Sequence, residues 1–83
     1  MSAAEKILKK MQASKTGWGA RDFNRLYLGF GFLCKEGGCH TLYIHPEFPI
    51  LRATVARHSE LPSGYAQHAI KCIGELKRLQ NRK

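Results

Sequence analysis

Acidic residues are scarce in this chain: six Asp and Glu stand against fourteen Lys and Arg, a formal charge of +8 over 83 residues. So basic a small surface concentrates polyanions around itself, which makes nucleic acid the first partner to test and an acidic protein the second. Cysteine occurs only at Cys34, Cys39 and Cys72, an odd number that excludes complete pairing within one chain. The thiols are therefore read as reduced, and a cytoplasmic location is expected. Long apolar runs are missing as well. The longest stretches without a formal charge, residues 26–34, 37–46 and 61–70, reach about half the ~20 residues that span a bilayer. The first residues interleave Glu5 and three Lys with apolar side chains, unlike a secretory leader, so neither export nor a membrane partner is expected.

What is present suffices for one core. Hydrophobic residues make up 43% of the chain and eight are aromatic, and a domain of this size buries roughly 60–65% of its unfolded surface. A single domain over residues 1–83 is expected. Ser2 and Glu5 have the spacing of a capping box, and Ala4, Ile7, Leu8 and Met11 follow at helical intervals. The pattern predicts a helix over about 3–13 with Lys6, Lys9 and Lys10 outward, within an appended segment 1–16 ahead of a core over 19–80. A second helix starts near Gly19, with Asp22 in its first turn where the dipole favours an acid. Phe23, Leu26, Tyr27 and Phe30 share one face, and Gly29 and Gly31 end it.

A strand is expected over residues 32–35, then a hairpin turn at Glu36-Gly37-Gly38, where glycine supplies the positive φ of tight hairpins. Residues 39–45 form the clearest strand, with Leu42 and Ile44 expected inward and Thr41 and Tyr43 on the opposite face. Pro46 and Pro49 bracket a turn. A third strand follows over residues 51–56, with Leu51, Ala53 and Val55 inward and Arg52 and Thr54 outward. Ala66, Ala69, Ile70, Ile73 and Leu76 place a last helix over about 62–79, with Pro62 in its first turn. The order is α-α-β-β-β-α, an α+β fold with a three-stranded antiparallel sheet and helices on one face.

Three chemistries are open to these residues. Cys34, Cys39, His40 and His45 are spaced C-x4-C-H-x4-H, wider than structural zinc usually takes. On one strand His40 and His45 also point to opposite faces, so no metal and no other cofactor is expected. Cys39 beside His40 suggests a nucleophile and its base, yet adjacent strand residues face apart. Histidine chemistry on RNA fits better. The 2′-hydroxyl is a built-in nucleophile, so an imidazole to move its proton and cations around the phosphate can suffice. His40 shares parity with Leu42 and Ile44, expected to be buried, so it is expected to reach solvent only at the end of the sheet or on a bulge.

The stretch Gly38-Cys39-His40-Thr41-Leu42-Tyr43-Ile44-His45-Pro46 resembles the Gly-Ser/Thr-His-x-x-[Phe/Tyr]-x-His-Pro signature of HicA toxins, the mRNA interferases of type II toxin–antitoxin pairs. Asp22-Phe23, Leu26 and Gly31-Phe32 are similar to that family's first helix and its exit. Ala53-Thr54-Val55-Ala56-Arg57-His58 and Leu61-Pro62-Ser63-Gly64 resemble its third strand and the entry to its final helix, and the leading helix resembles the extension of longer members. Cys39 stands where the signature has Ser or Thr, and residues 32–38 are about one residue short. The resemblance implies a fold like the double-stranded-RNA-binding domain, metal-independent cleavage of mRNA, His40 as the catalytic residue and a HicB-like antitoxin as protein partner.

Around His40, Lys35, Arg52, Lys71 and Lys77 are candidate phosphate contacts, and each is equally readable as part of a solvated cationic surface. Tyr43 and Trp18 can stack on bases or pack in the core, and His45 can hold the turn at Pro46. Two alternatives to the ribonuclease remain open: an RNA-binding module of the same fold without turnover, and a degenerate toxin that only docks an antitoxin. Docking of an acidic protein is a third reading. A homo-oligomer is compatible with all of them.

Overall fold

A computed structural model describes residues 3–81. Ser2, the expected cap of the first helix, lies outside the described residues. Helix α1 spans Ala3–Ala13 and α2 Ala20–Gly29; strands β1, β2 and β3 span Leu33–Gly37, His40–Ile44 and Arg52–Ala56; helix α3 spans Ser63–Gln80. The strands form an antiparallel meander in the order β1-β2-β3, with β2 central. Among the described residues no helix is long and apolar enough to cross a membrane.

Each helix follows from its sequence pattern. Ala4, Leu8 and Met11 of α1 are buried, whereas Lys6, Lys9 and Lys10 are exposed. At the start of α2 the Asp22 carboxylate accepts the Gly19 N–H at 2.9 Å, so the acid caps the helix as well as answering its dipole. Gly31 reverses the chain after α2 at φ +91, a conformation that side chains with a Cβ rarely adopt. The appended helix docks on α2 and α3 and sends Leu8 and Met11 into the same core as Phe23, Leu26, Tyr27, Phe32, Ile73 and Leu76. Its approach is close: a Cβ on Gly29 would lie 2.3 Å from the Ala4 Cβ.

Two expectations about the sheet are corrected. The hairpin turn is Gly38-Cys39, because Gly37 still pairs with His40 and leaves two residues to reverse the chain. Neither Gly37 nor Gly38 takes a positive φ. More consequentially, the faces of β2 are inverted: Thr41 and Tyr43 are buried, while His40 is exposed and Leu42 and Ile44 are only half-buried. Register explains the inversion. Tyr43 pairs with Ala53 and Thr41 with Val55, so the buried parity of β3 dictates that of β2. Tyr43 is the better core residue here. Its ring stacks on Tyr27 with centroids 4.8 Å apart, and its hydroxyl accepts a hydrogen bond from Asn24 Nδ2 at 2.9 Å. An aromatic pair of this kind contributes about 0.5–1.5 kcal/mol beyond its area.

Candidate functional site

One face of the sheet is covered by helices and the other carries the alternate side chains: Leu33 and Lys35 from β1, His40, Leu42 and Ile44 from β2, Arg52 and Thr54 from β3. His40 therefore needs no bulge to reach solvent. It opens the central strand, flanked by Gly37 on one side and Ala56 on the other. Gly37 offers no side chain to screen the imidazole. Lys35 and Thr54 are the diagonal neighbours of His40 on the two flanking strands, a placement that corresponds to about 7–8 Å. His40, Lys35, Thr54, Leu42 and Glu36 line a shallow depression of about 260 Å³. The Arg57 N–H donates to the Cys39 carbonyl at 3.2 Å, continuing the ladder one step beyond the β2–β3 pairing and fixing the residue before His40. An accessible imidazole, an ammonium and a hydroxyl on one rigid surface can exchange a proton with a bound molecule and hold an anion.

The remaining candidates are dispersed. Arg52 is on the same face but opposite Ile44, four residues along β2 from His40, which strand geometry makes ~14 Å. Its guanidinium turns back to the Pro49 carbonyl, with Nε and Nη2 each 3.4 Å from that oxygen. Lys71 is exposed on α3 and lines a separate groove with Arg52, Ile50 and Glu75. Lys77 belongs to the helical layer, paired with Glu5 at 3.0 Å and poised over the Phe30 ring.

Tyr43 and Trp18 serve the fold. Tyr43 is in the core, and Trp18 is half-buried with its Nε1 donating to the Ser14 carbonyl at 2.7 Å. His45 is buried against Phe32, and its Nδ1 accepts the Glu47 N–H at 3.1 Å, which holds the turn at Pro46. Cys39 is exposed in the hairpin and Cys34 on β1, whereas Cys72 is buried. Among the described residues no three His, Cys, Asp or Glu converge as a metal site would require.

Burial raises the Tyr27 phenol above its ordinary range, with smaller contributions from Cys72 and Tyr43. Tyr43 is raised chiefly by burial too, partly offset by the hydrogen bond from Asn24. Burial alone raises Cys72. A phenol or thiol raised in this way is not poised to transfer a proton at neutral pH.

Reading the chain missed several groups that flank His40. Glu36 and Thr54 join its depression only through strand register. Arg21 and Arg25 on α2 and Arg57 after β3 line a cleft on the covered side, at the same end of the sheet. The four-residue spacing of Arg21 and Arg25 is a visible signal of a shared helix face; their convergence with Arg57 is not. Comparison of the chain with family models, curated proteins and solved structures finds no match.

Proposed function

We propose that this chain is an endoribonuclease toxin of the HicA type, acting on mRNA without a metal and with His40 as its general acid/base. The observation that carries the reading is the position of His40: the histidine of the signature stands exposed on the open face of the sheet, with Lys35 and Thr54 as diagonal neighbours. In the reaction the imidazole removes the 2′-hydroxyl proton, the 2′-oxygen forms a bond to phosphorus, and the bond from phosphorus to the 5′-oxygen breaks. A water at this open site protonates the departing 5′-oxygen and takes the proton back from the His40 imidazolium, which returns the imidazole to its starting form. Lys35 stabilises the charge that builds on the non-bridging oxygens, and Thr54 offers a hydroxyl to the same phosphate. A HicB-like antitoxin would silence the enzyme by covering this face.

The test is incubation of the purified chain with labelled single-stranded RNA, with and without EDTA, beside His40→Ala. Cleavage that survives EDTA and is lost in the variant supports the reading. Unchanged cleavage in the variant removes His40 from it. Cys39 in place of a hydroxyl residue favours a second reading, an RNA-binding module of the same fold without turnover, whose mark is salt-sensitive RNA affinity in the absence of any product.

A further inference from the structure

A concavity lined by three arginines lies on the other side of the sheet from the His40 depression. Between the first turns of α2 and the covered face of the sheet is a cleft of about 410 Å³, whose walls carry Arg21, Arg25 and Arg57 and whose floor includes Asn24 and the Tyr43 hydroxyl. A second hollow of about 670 Å³ continues it past the same three arginines to His58. Two acids face this region. Asp22 is engaged at the helix cap through the Gly19 N–H, and Glu36 pairs with Arg57 at 3.6 Å at the exposed rim. Arg21 and Arg25 make no ion pair and no side-chain hydrogen bond among the described residues, and both are exposed. The floor is uncharged. Tyr43 accepts from Asn24, which leaves its own hydroxyl proton free to donate.

Three guanidinium forks over neutral donors suit a phosphate group, because each fork can meet two oxygens at once. Position selects the source of that phosphate. Glu36 borders both the arginine cleft and the His40 depression, and Arg57 follows directly on Ala56, the strand partner of His40. The two concavities are thus opposite sides of one wall, the turn end of the β1–β2 hairpin. All five residues of β1 are exposed, so this edge strand leaves a polymer an open path between the two concavities.

We propose that Arg21, Arg25 and Arg57 form a second subsite for the phosphodiester backbone of single-stranded RNA, holding a phosphate that neighbours the one presented to His40. The inference rests on the ribonuclease reading above for the identity of the polymer. It adds that the substrate wraps the turn end of the β1–β2 hairpin instead of lying only across the open face, and that the helical side of the domain takes part in binding.

The test measures affinity of the full chain for a labelled single-stranded RNA of about ten nucleotides across a salt series. His40→Ala serves as the common background, so that turnover does not intrude. Adding Arg21→Ala with Arg25→Ala is expected to lower the slope of log K against log salt by about 1.4, two contacts at about 0.7 each. The control pair Lys6→Ala with Lys9→Ala removes the same charge from the far side of α1 and is expected to move the slope less than half as much. Equal effects of the two pairs, or no effect of either, overturn the subsite.

Cleavage by Arg21→Ala with Arg25→Ala in a chain that keeps His40 separates the claims: an unchanged salt slope together with wild-type cleavage discards the cleft and leaves the ribonuclease standing. A chain that binds no RNA discards both. Binding of polyglutamate that depends on Arg21 and Arg25, with RNA affinity unmoved, makes the cleft a site for an acidic protein and overturns the proposal.

Discussion

The two faces of the sheet differ in what their side chains do, although their compositions look reversed. The covered face carries Thr41, Tyr43, Ala53 and Val55, all buried, whereas the open face carries Leu33, Leu42 and Ile44 beside His40, Lys35, Thr54 and Arg52. By hydrophobicity alone the leucines and the isoleucine belong inside. The core instead takes a tyrosine that stacks on Tyr27 and has a hydrogen-bond partner, so fit and register outrank aliphatic character. The covered face holds the fold together, and the open face leaves His40, Lys35, Thr54 and Arg52 exposed.

The sharpest way to break this comparison is to truncate one residue on each side. Tyr43→Ala is expected to cost about 3–5 kcal/mol, as removal of a buried aromatic does, measured by chemical denaturation. Its neighbour Leu42→Ala, on the open face, is expected to cost less than about 1 kcal/mol. Equal costs would contradict the assignment of the faces. A smaller effect is expected where the appended helix docks: Gly29→Ala forces its new methyl against Ala4 and is expected to destabilise by about 1–3 kcal/mol. Pairing it with Ala4→Gly should recover part of that loss.

Alkaline titration sharpens the comparison further. Both Tyr27 and Tyr43 are raised in the folded state, so near pH 10 the unfolded chain releases phenolic protons that the folded chain keeps. Stability is unaffected below that range and falls as pH rises through it, by up to about 1.4 kcal/mol per pH unit for each phenol. Tyr27→Phe is expected to flatten the decline of the thermal midpoint above pH 10, compared with the parent over the same series. The smallest effect belongs to the rim. Glu36→Gln removes the carboxylate that pairs with Arg57 and is expected to tighten RNA binding about two- to threefold with little change in stability.

Much of the fold is legible in the sequence. The helical spacing of Ala4, Leu8 and Met11 places α1 over Ala3–Ala13, and the alternation of Ala53 and Val55 places β3 with the correct face inward. The faces of β2 are not legible from β2 alone, because Thr-Leu-Tyr-Ile is apolar or β-branched at every position and its alternation has no polar side to mark it. Only the pairing with β3 decides. The site is legible in the same uneven way. His40 and Lys35 can be read from a short motif and a hairpin, while Thr54, Glu36 and Arg57 reach them through register, and no local pattern encodes register. Lys77 illustrates the converse: a cation on the last helix is a plausible phosphate contact until Glu5, 72 residues away, is found beside it.

Chemical rescue of His40→Ala distinguishes an imidazole that moves the proton from one that only decorates a fold resting on the other face of the sheet. His40→Ala is expected to keep the parent's thermal midpoint and to lose about 10²–10⁴ in RNA cleavage. Added imidazole, entering the open depression the substitution leaves, is expected to restore cleavage in proportion to its free-base concentration. Cleavage by His40→Ala at the parent's rate, without imidazole, would contradict the account.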